Sequence, residues 1–459
     1  MTSQTNARLL AFDVLEAVEF DDAYANLLMP KLISKANLAT RDSAFAQELA
    51  YGTLRWQLFY DEVIEFAAGR PLEEIDEAAL IVLRLGAHQL LELETPPHAA
   101  ISETVDLAKA VLPARLTGFV NACLRRISER NRNDWMQRVL AGFSDENDRF
   151  AIQYSHPVWI VKSLRHALKL DGREKELEEL LKSDNTQPLV NLVYLPLKAE
   201  RTTEIAGAVE RGGVSPLGGI LGSGDPAKLP EIQTGYARVQ DQGSQLAALV
   251  LSRASKVEAG ETWADFCAGP GGKAALLAAE ASNGAAHISC FEVAEHRTKL
   301  VDTTLRHSID HGVYDVTTAD ARTLGEELPN RFDRIMLDAP CSGLGALRRR
   351  PEARWRKSSR DLADLGALQN ELFDSAVAAL KPGGLLAYVT CSPHPSETAA
   401  VVDGALKRHK NLELLNANEV LAEINPALAP TLNSARKTAQ LWPHVHGTDA
   451  MFIALLKKN

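Results

Sequence analysis

Apolar residues recur at helical spacing through the first third of the chain: Leu10, Val14 and Val18, reinforced by Ala11 and Leu15, and later Leu80, Leu83, Ala87 and Leu90. Hardly any alternating pattern interrupts them, so residues 1–140 are expected to form an all-helical domain. The polar run "ISERNRNDW" (127–135) marks its end. Between 150 and 235 the texture changes: "LVNLVYL" (189–195) reads as a strand and "GGVSPLGGILGSGDP" (212–226) as a series of turns. A small mixed α+β domain is predicted there. Over 236–459, strand-like runs alternate with helical ones: "TWADF" (262–266), "HISCFE" (287–292), "YDVTTAD" (314–320), "RIMLDA" (334–339) and "LLAYVTC" (385–391). That alternation predicts an α/β domain built on a doubly wound parallel sheet. "QLWPH" (440–444) and "MFIALL" (451–456) are expected to close it as an antiparallel pair.

Composition narrows the class. A length of 459 residues suits about three domains at roughly 150 residues each. Asp13, Glu16, Glu19, Asp21 and Asp22 speak against a signal or transit peptide near the start, and no apolar run has bilayer-spanning length, so no membrane is expected. The five cysteines are scattered and form no CxxC pair, which argues against a disulfide framework or a zinc ribbon. A reducing cytoplasm is the expected location. The formal charge of -10 is unsuited to coating nucleic acid indiscriminately, so any RNA contact must come from local basic patches.

"DFCAGPGGKAALLAAE" (265–280) reads as a strand end, a Gly/Pro turn and a helix start. Such a turn lets backbone approach a ligand, and the helix start offers free amide donors. Gly269, Gly271 and Ala274 satisfy G-x-G-x-x-A, which also fits a nicotinamide dehydrogenase. A phosphate loop of the Walker A type is excluded, because Cys267 and Ala274 stand where it needs Gly and Ser or Thr. Downstream, Glu292, Asp320 and Asp338 end three successive strand-like runs, where ligands of open α/β sheets bind. Glu292 suits ribose hydroxyls and Asp320 an adenine amine. Together the three acids point to a nucleoside pocket, although each alone would also suit a helix cap.

Cys341 in "DAPCSG" and Cys391 in "VTCS" also follow strand-like runs, so both thiols are expected at that crevice. Two thiols and an acid beside a nucleoside cofactor suit methylation at carbon 5 of a cytosine. Carbon 5 becomes nucleophilic only after a thiolate adds to carbon 6. An acid such as Asp338 near ring nitrogen 3 helps that addition, and a second thiol can remove the carbon-5 proton afterwards. Lys273 is a candidate cation to favour the thiolate, or a solvated residue of the first helical turn. Cys123 and Cys290 read as small buried hydrophobes.

At these motifs the chain resembles the RNA cytosine-5 methyltransferases, most closely the bacterial Fmu/RsmB-type group that acts on 16S ribosomal RNA. The likeness runs over nearly the whole chain. It implies a Rossmann-like catalytic domain that binds S-adenosyl-L-methionine through Cys267, Ala268, Gly269, Pro270, Gly271, Gly272 and Lys273. By the same resemblance Cys391 is the nucleophile and Cys341 assists product release. "RDSAFAQELAYGTLR" (41–55) and "GFVNACLRR" (118–126) resemble a NusB-like RNA-binding domain, and residues 150–235 the family's RNA-binding linker. Two departures are visible: Gly269 where the family often has Ala, and Glu292 where it often has Asp.

"RRRPEARWRK" (348–357) follows the Pro-Cys motif directly. Arg348, Arg349, Arg350, Arg354 and Arg356 can neutralise phosphates while Trp355 stacks a base, or the run can be a solvated basic face. Arg125, Arg126, Arg130 and Arg132 form a second basic group with the same two readings. His444 and His446 have ligand-like spacing but lack a third partner, so no metal is expected. Ribosomal RNA is the expected substrate, transfer RNA the alternative, and a noncatalytic RNA-binding factor the contrasting reading. A monomer is expected.

Overall fold

The computed structural model of the protein describes residues 6–196 and 209–459. It divides into two compact units, one made of the chain up to Lys162 together with Leu347–Arg356, the other of Ser163–Ala346 and Lys357–Asn459.

The first unit is helical; among its described residues no strand occurs. Polar caps start several helices: Asn6 accepts from the amide of Leu9, Asp76 from Ala79 and Asn131 from Asp134. The stripes seen in sequence face inward, with Leu10, Val14 and Val18 buried alongside Leu80, Leu83 and Ala87 in one cluster. Helix Glu77–Leu91 is buried almost all round, which makes it the central helix of the unit.

The second unit holds two sheets. Strands β1 (Val190–Tyr194), β2 (Val209–Arg211), β3 (Gly218–Leu221) and β4 (Ala237–Val239) pair antiparallel in the order β2-β3-β1-β4. The larger sheet contains β5 (Thr262–Asp265), β6 (His287–Glu292), β7 (Tyr314–Thr318), β8 (Phe332–Asp338), β9 (Leu380–Thr390), β10 (Leu412–Leu415), β11 (Ala439–Gln440) and β12 (Phe452–Lys458). Its order is β10-β12-β9-β8-β5-β6-β7, with β11 pairing β12. Strands β5 to β9 are mutually parallel, and β12 runs antiparallel to both its neighbours, β9 and β10. The chain winds from β5 outward to β7 and returns to β8 on the other side of β5, so the switch point lies between the carboxyl ends of β5 and β8.

The units differ from the domain boundaries expected from sequence. Helices Arg132–Leu140 and Glu146–Tyr154 belong to the helical unit, burying Trp135, Val139 and Ile152 in its core. The small sheet joins the larger sheet in one unit, because Val193 and Leu195 share the core of helix Gln242–Arg253 and Gln245 donates to the carbonyl of Leu192 at 3.0 Å. Part of the predicted linker, residues 197–208, lies outside the described residues. "MFIALL" does pair antiparallel with Ala439–Gln440, but its longer partners are β9 and β10. The four-residue β10 carries too short a pattern to be seen in sequence.

Candidate active site at the sheet switch point

Strand β5 ends at Asp265, and the chain turns through Cys267–Gly271 into helix Gly272–Asn283, whose Ala/Leu face is buried. This turn presses against the end of β6. The amide of Gly269 donates to Oε2 of Glu292 at 3.1 Å, and Arg297 bridges the carbonyl of Gly269 (2.8 Å) and that carboxylate (3.3 Å). A Cβ on Gly269 would lie 2.3 Å from Oε2 of Glu292. The two departures noted in sequence are therefore one packing solution: the longer Glu292 uses the space that a methyl group would fill. Gly269→Ala is expected to weaken cofactor binding by about tenfold, the cost of a modest overpacking. Adding Glu292→Asp should recover most of that loss; calorimetric titration of the double variant checks it, and no recovery sinks the coupling.

Across the switch point, Lys273 Nζ lies 2.8 Å from Oδ2 of Asp338 at the end of β8. Burial alone would lower the Lys273 pKa, but Asp338, Cys391 and Asp265 more than offset it, and the net shift is upward. Lys273 is thus a persistent cation rather than a solvated first-turn residue. The two thiols meet beside it, with Cys341 Sγ 3.4 Å from Cys391 Sγ and neither in a disulfide. Sharing a hydrogen bond with Cys391, and burial second, push the Cys341 thiol well above the usual range. Gly345 closes the Cys341 loop onto the end of β9: its amide donates to the carbonyl of Cys391 at 2.8 Å, and a Cβ there would sit 2.1 Å from the carbonyl oxygen of Ala450. Only glycine fits that approach.

Comparison with known proteins gives the family. The family model 16S rRNA methyltransferase RsmB/F matches residues 253–457, and the NusB family model matches residues 5–129. A methyltransferase-named protein of Mycobacterium tuberculosis (strain ATCC 25618 / H37Rv) is 41% identical over 98% of this chain and 96% of its own. Ribosomal RNA small subunit methyltransferase B of Pectobacterium atrosepticum is 30% identical, covering 100% of both chains. The chain belongs to the RsmB/F family. In fold, the crystal structure of PH0851 superposes with a TM-score of 0.76 at 23% identity, over 98% of this chain and 97% of that one. This RsmB/F-family protein is an S-adenosylmethionine-dependent RNA methyltransferase with a NusB-like helical domain and a Rossmann-like catalytic domain. The dehydrogenase reading of its glycine loop is thereby set aside.

The RsmB/F-family site has a buried acceptor that sequence reading passed over. Asp265 is 1% exposed; its Oδ1 accepts the amide of Cys267 at 3.3 Å, and Oδ2 has no hydrogen-bond partner among the described residues. An unsatisfied acceptor beside the glycine turn fits a cationic or hydrogen-bond-donating cofactor group. Its signal was available in "DFCAGPGGK", as the acid that ends the strand. Burial first, and Asp338 second, push its pKa up to about 7. The unfolded value is about 3.9, so the folded state keeps a proton that the unfolded chain loses, and stability falls as pH rises from about 4 through about 7. Asp265→Asn does not titrate. Without cofactor its unfolding free energy is expected to gain on the parent between pH 5 and pH 8, by about the few kcal/mol that the pKa shift represents, read by urea unfolding at each pH. A pH-independent difference would refute this.

Asp320 lies at the end of β7 beside Arg322, 2.6 Å away, which holds its carboxyl below the usual range. Cys290 is a buried residue of β6, and Cys123 lies in the helical core. His444 pairs with Glu176 at 2.9 Å; His446 Nδ1 accepts the amide of Trp442 at 2.8 Å, and burial lowers its pKa to about 4. Both are structural. Among the described residues no cluster is arranged to hold a metal, and no helix is long and apolar enough to cross a membrane.

The basic run after the Pro-Cys motif belongs to the helical unit. Arg354 is fully buried, and its Nη1 donates to the carbonyls of Arg55 and Ser155, both at 3.0 Å. Trp355 Nε1 donates to the carbonyl of Leu54 at 2.9 Å while its ring packs on the helical core. Arg356 reaches the carbonyls of Val18 and Ala23. Its guanidinium and that of Arg350 lie over Tyr24, at 4.8 and 5.9 Å. Arg348 is buried, and Arg349 is exposed. Charge alternating with an aromatic reads the same in sequence whether it faces solvent or plugs backbone carbonyls. In Arg132 of the second group, Nε pairs with Glu92 at 2.7 Å and the guanidinium covers Trp56 at 4.4 Å.

Proposed function

We propose that the protein methylates carbon 5 of a cytidine in small-subunit ribosomal RNA through a covalent adduct between Cys391 and carbon 6. The observation that carries the reading is a pair of thiols 3.4 Å apart beside the Lys273–Asp338 ion pair. S-adenosyl-L-methionine, when bound, supplies an electrophilic methyl group. The residues proposed to hold it are the turn 267–273, Glu292 for the ribose, Asp320 for the base and Asp338 beside Lys273, with Asp265 as an added acceptor.

The thiolate of Cys391 adds to carbon 6, and Asp338 steadies the electron-rich ring at nitrogen 3. Lys273 favours the thiolate as the nearby cation. Once carbon 5 carries the methyl group, Cys341, as a thiolate after passing its own proton to solvent, takes the proton from that carbon; the carbon 6–sulfur bond breaks with its electron pair returning to Cys391, and the ring regains aromaticity. Relatives named for small-subunit ribosomal RNA support the substrate. The exposed Arg349 is the member of the basic run best suited to a phosphate.

The test is to incubate the protein with labelled S-adenosylmethionine and small-subunit ribosomal RNA, then digest to nucleosides. Labelled 5-methylcytidine is expected. Label in another nucleoside overturns the chemistry, label only when transfer RNA is supplied overturns the substrate, and no label from either RNA favours the binding-factor reading.

A further inference from the structure

The residue after each cysteine is a serine, and the fold uses both serines in the same way. Ser342 donates its amide to Oε1 of Glu397 at 2.7 Å and its hydroxyl to Oε2 at 2.5 Å. Ser392 donates its hydroxyl to the same Oε2 at 2.6 Å, and the two hydroxyl oxygens are 3.1 Å apart. Gln369, buried on helix Asp361–Ala379, extends the set. Its Nε2 donates to Oε1 of Glu397 at 3.4 Å and to the carbonyl of Pro340, the residue before Cys341, at 2.8 Å. Glu397 has no exposed surface, and its own carbonyl accepts the hydroxyl of Tyr388, in β9, at 2.7 Å.

Four donors from three elements therefore converge on one carboxylate. A carboxylate is acceptor-only and can satisfy them all, whereas an amide in the same place would turn two of its own hydrogens toward donors or hydroxyls. Each serine adjoins a cysteine, so holding both serines on a single rigid group holds the two loops in register. We infer that Glu397 is a positioning residue that sets the separation of the Cys341 and Cys391 thiols, acting through Ser342 and Ser392. It makes no contact with the reacting atoms. For its catalytic consequence the inference rests on the two-thiol mechanism proposed above; for its geometric content it does not.

The two parts are separable by experiment on the full-length protein. Diamide oxidises a neighbouring pair of thiols: two S–H bonds are lost, one S–S bond forms, and the two hydrogens reduce the N=N bond of the reagent to a hydrazine. Peptide mass mapping follows formation of the Cys341–Cys391 disulfide without RNA or cofactor. Because a disulfide demands closely set thiols, Glu397→Ala is expected to slow this closure about tenfold, with Glu397→Gln intermediate. In parallel kcat for methyl transfer should drop about 100-fold in Glu397→Ala, the scale of a misplacement near 1 Å, while cofactor affinity stays put.

The double variant Ser342→Ala/Ser392→Ala removes the same links and keeps the carboxylate, so it decides the matter if Glu397→Ala does not fold. It should also oxidise slowly. Closure at the parental rate in these variants overturns the inference, as does slow closure with undiminished kcat. Rapid closure in the parent that depends on Glu397, with no methyl transferred to RNA, leaves the positioning role standing and removes the proposed function instead.

Discussion

Cys391→Ala is expected to abolish methyl transfer, a loss on the order of 10⁴-fold or more, as when a covalent nucleophile is removed from other enzymes. Cofactor affinity should change little, since the glycine turn and Glu292 are untouched. Cys341→Ala is expected to fail differently. It retains the attacking thiol and loses the base, so the methylated adduct forms and cannot resolve. Denaturing electrophoresis with S-adenosylmethionine and small-subunit ribosomal RNA should then show a protein band shifted by bound RNA for Cys341→Ala and none for Cys391→Ala. A shifted band for Cys391→Ala alone would exchange the two roles. The prediction leans on the thiol geometry: with the sulfurs 3.4 Å apart, either could reach a ring whose carbons 5 and 6 are bonded neighbours. What separates them is environment. The Cys341 thiol is pushed up by its hydrogen bond to Cys391 and by burial, so it must give its proton to solvent before it can serve as the base.

Arg354→Ala should destabilise the protein by about 3 kcal/mol or more, because two hydrogen bonds from a charged donor are lost and two buried carbonyls are left unpaired. Urea unfolding of the full chain measures it. The contrast is Arg349→Ala, an exposed position, where unfolding should shift far less than in Arg354→Ala. If Arg349 contacts a phosphate, RNA affinity should fall uniformly across sequences, with the salt slope reduced by about 1. If Arg354→Ala instead left stability intact and flattened the salt slope, the buried anchoring of this segment would be wrong and the original reading of an RNA-contacting arginine would return.

The catalytic sheet was legible because buried parallel strands are apolar on both faces and stand out as short runs, each ending in its chemistry. Asp265, Glu292 and Asp338 all sit at the last residue of a strand, and a strand end is a position that local pattern can find. β10 was not legible: four residues at an edge do not repeat long enough to show a period. The basic run at 348–357 was readable as charge but not as place. Its arginines look like a nucleic-acid surface until the carbonyls of Arg55, Ser155, Val18 and Ala23 are brought against them.

Glu397 shows the same division at the site itself. Nothing in "CSPHPSE" separates it from the many surface glutamates of an acidic chain, and only folding buries it between Ser342 and Ser392. By itself the sequence determined the periods of the elements, the residues at strand ends and the kinds of reactive group available, since those depend on neighbours along the chain. Which thiols meet, which acid holds them, and which arginines leave solvent were decided by tertiary structure, because hydrogen bonds and burial pair residues through space across separations that no local pattern encodes.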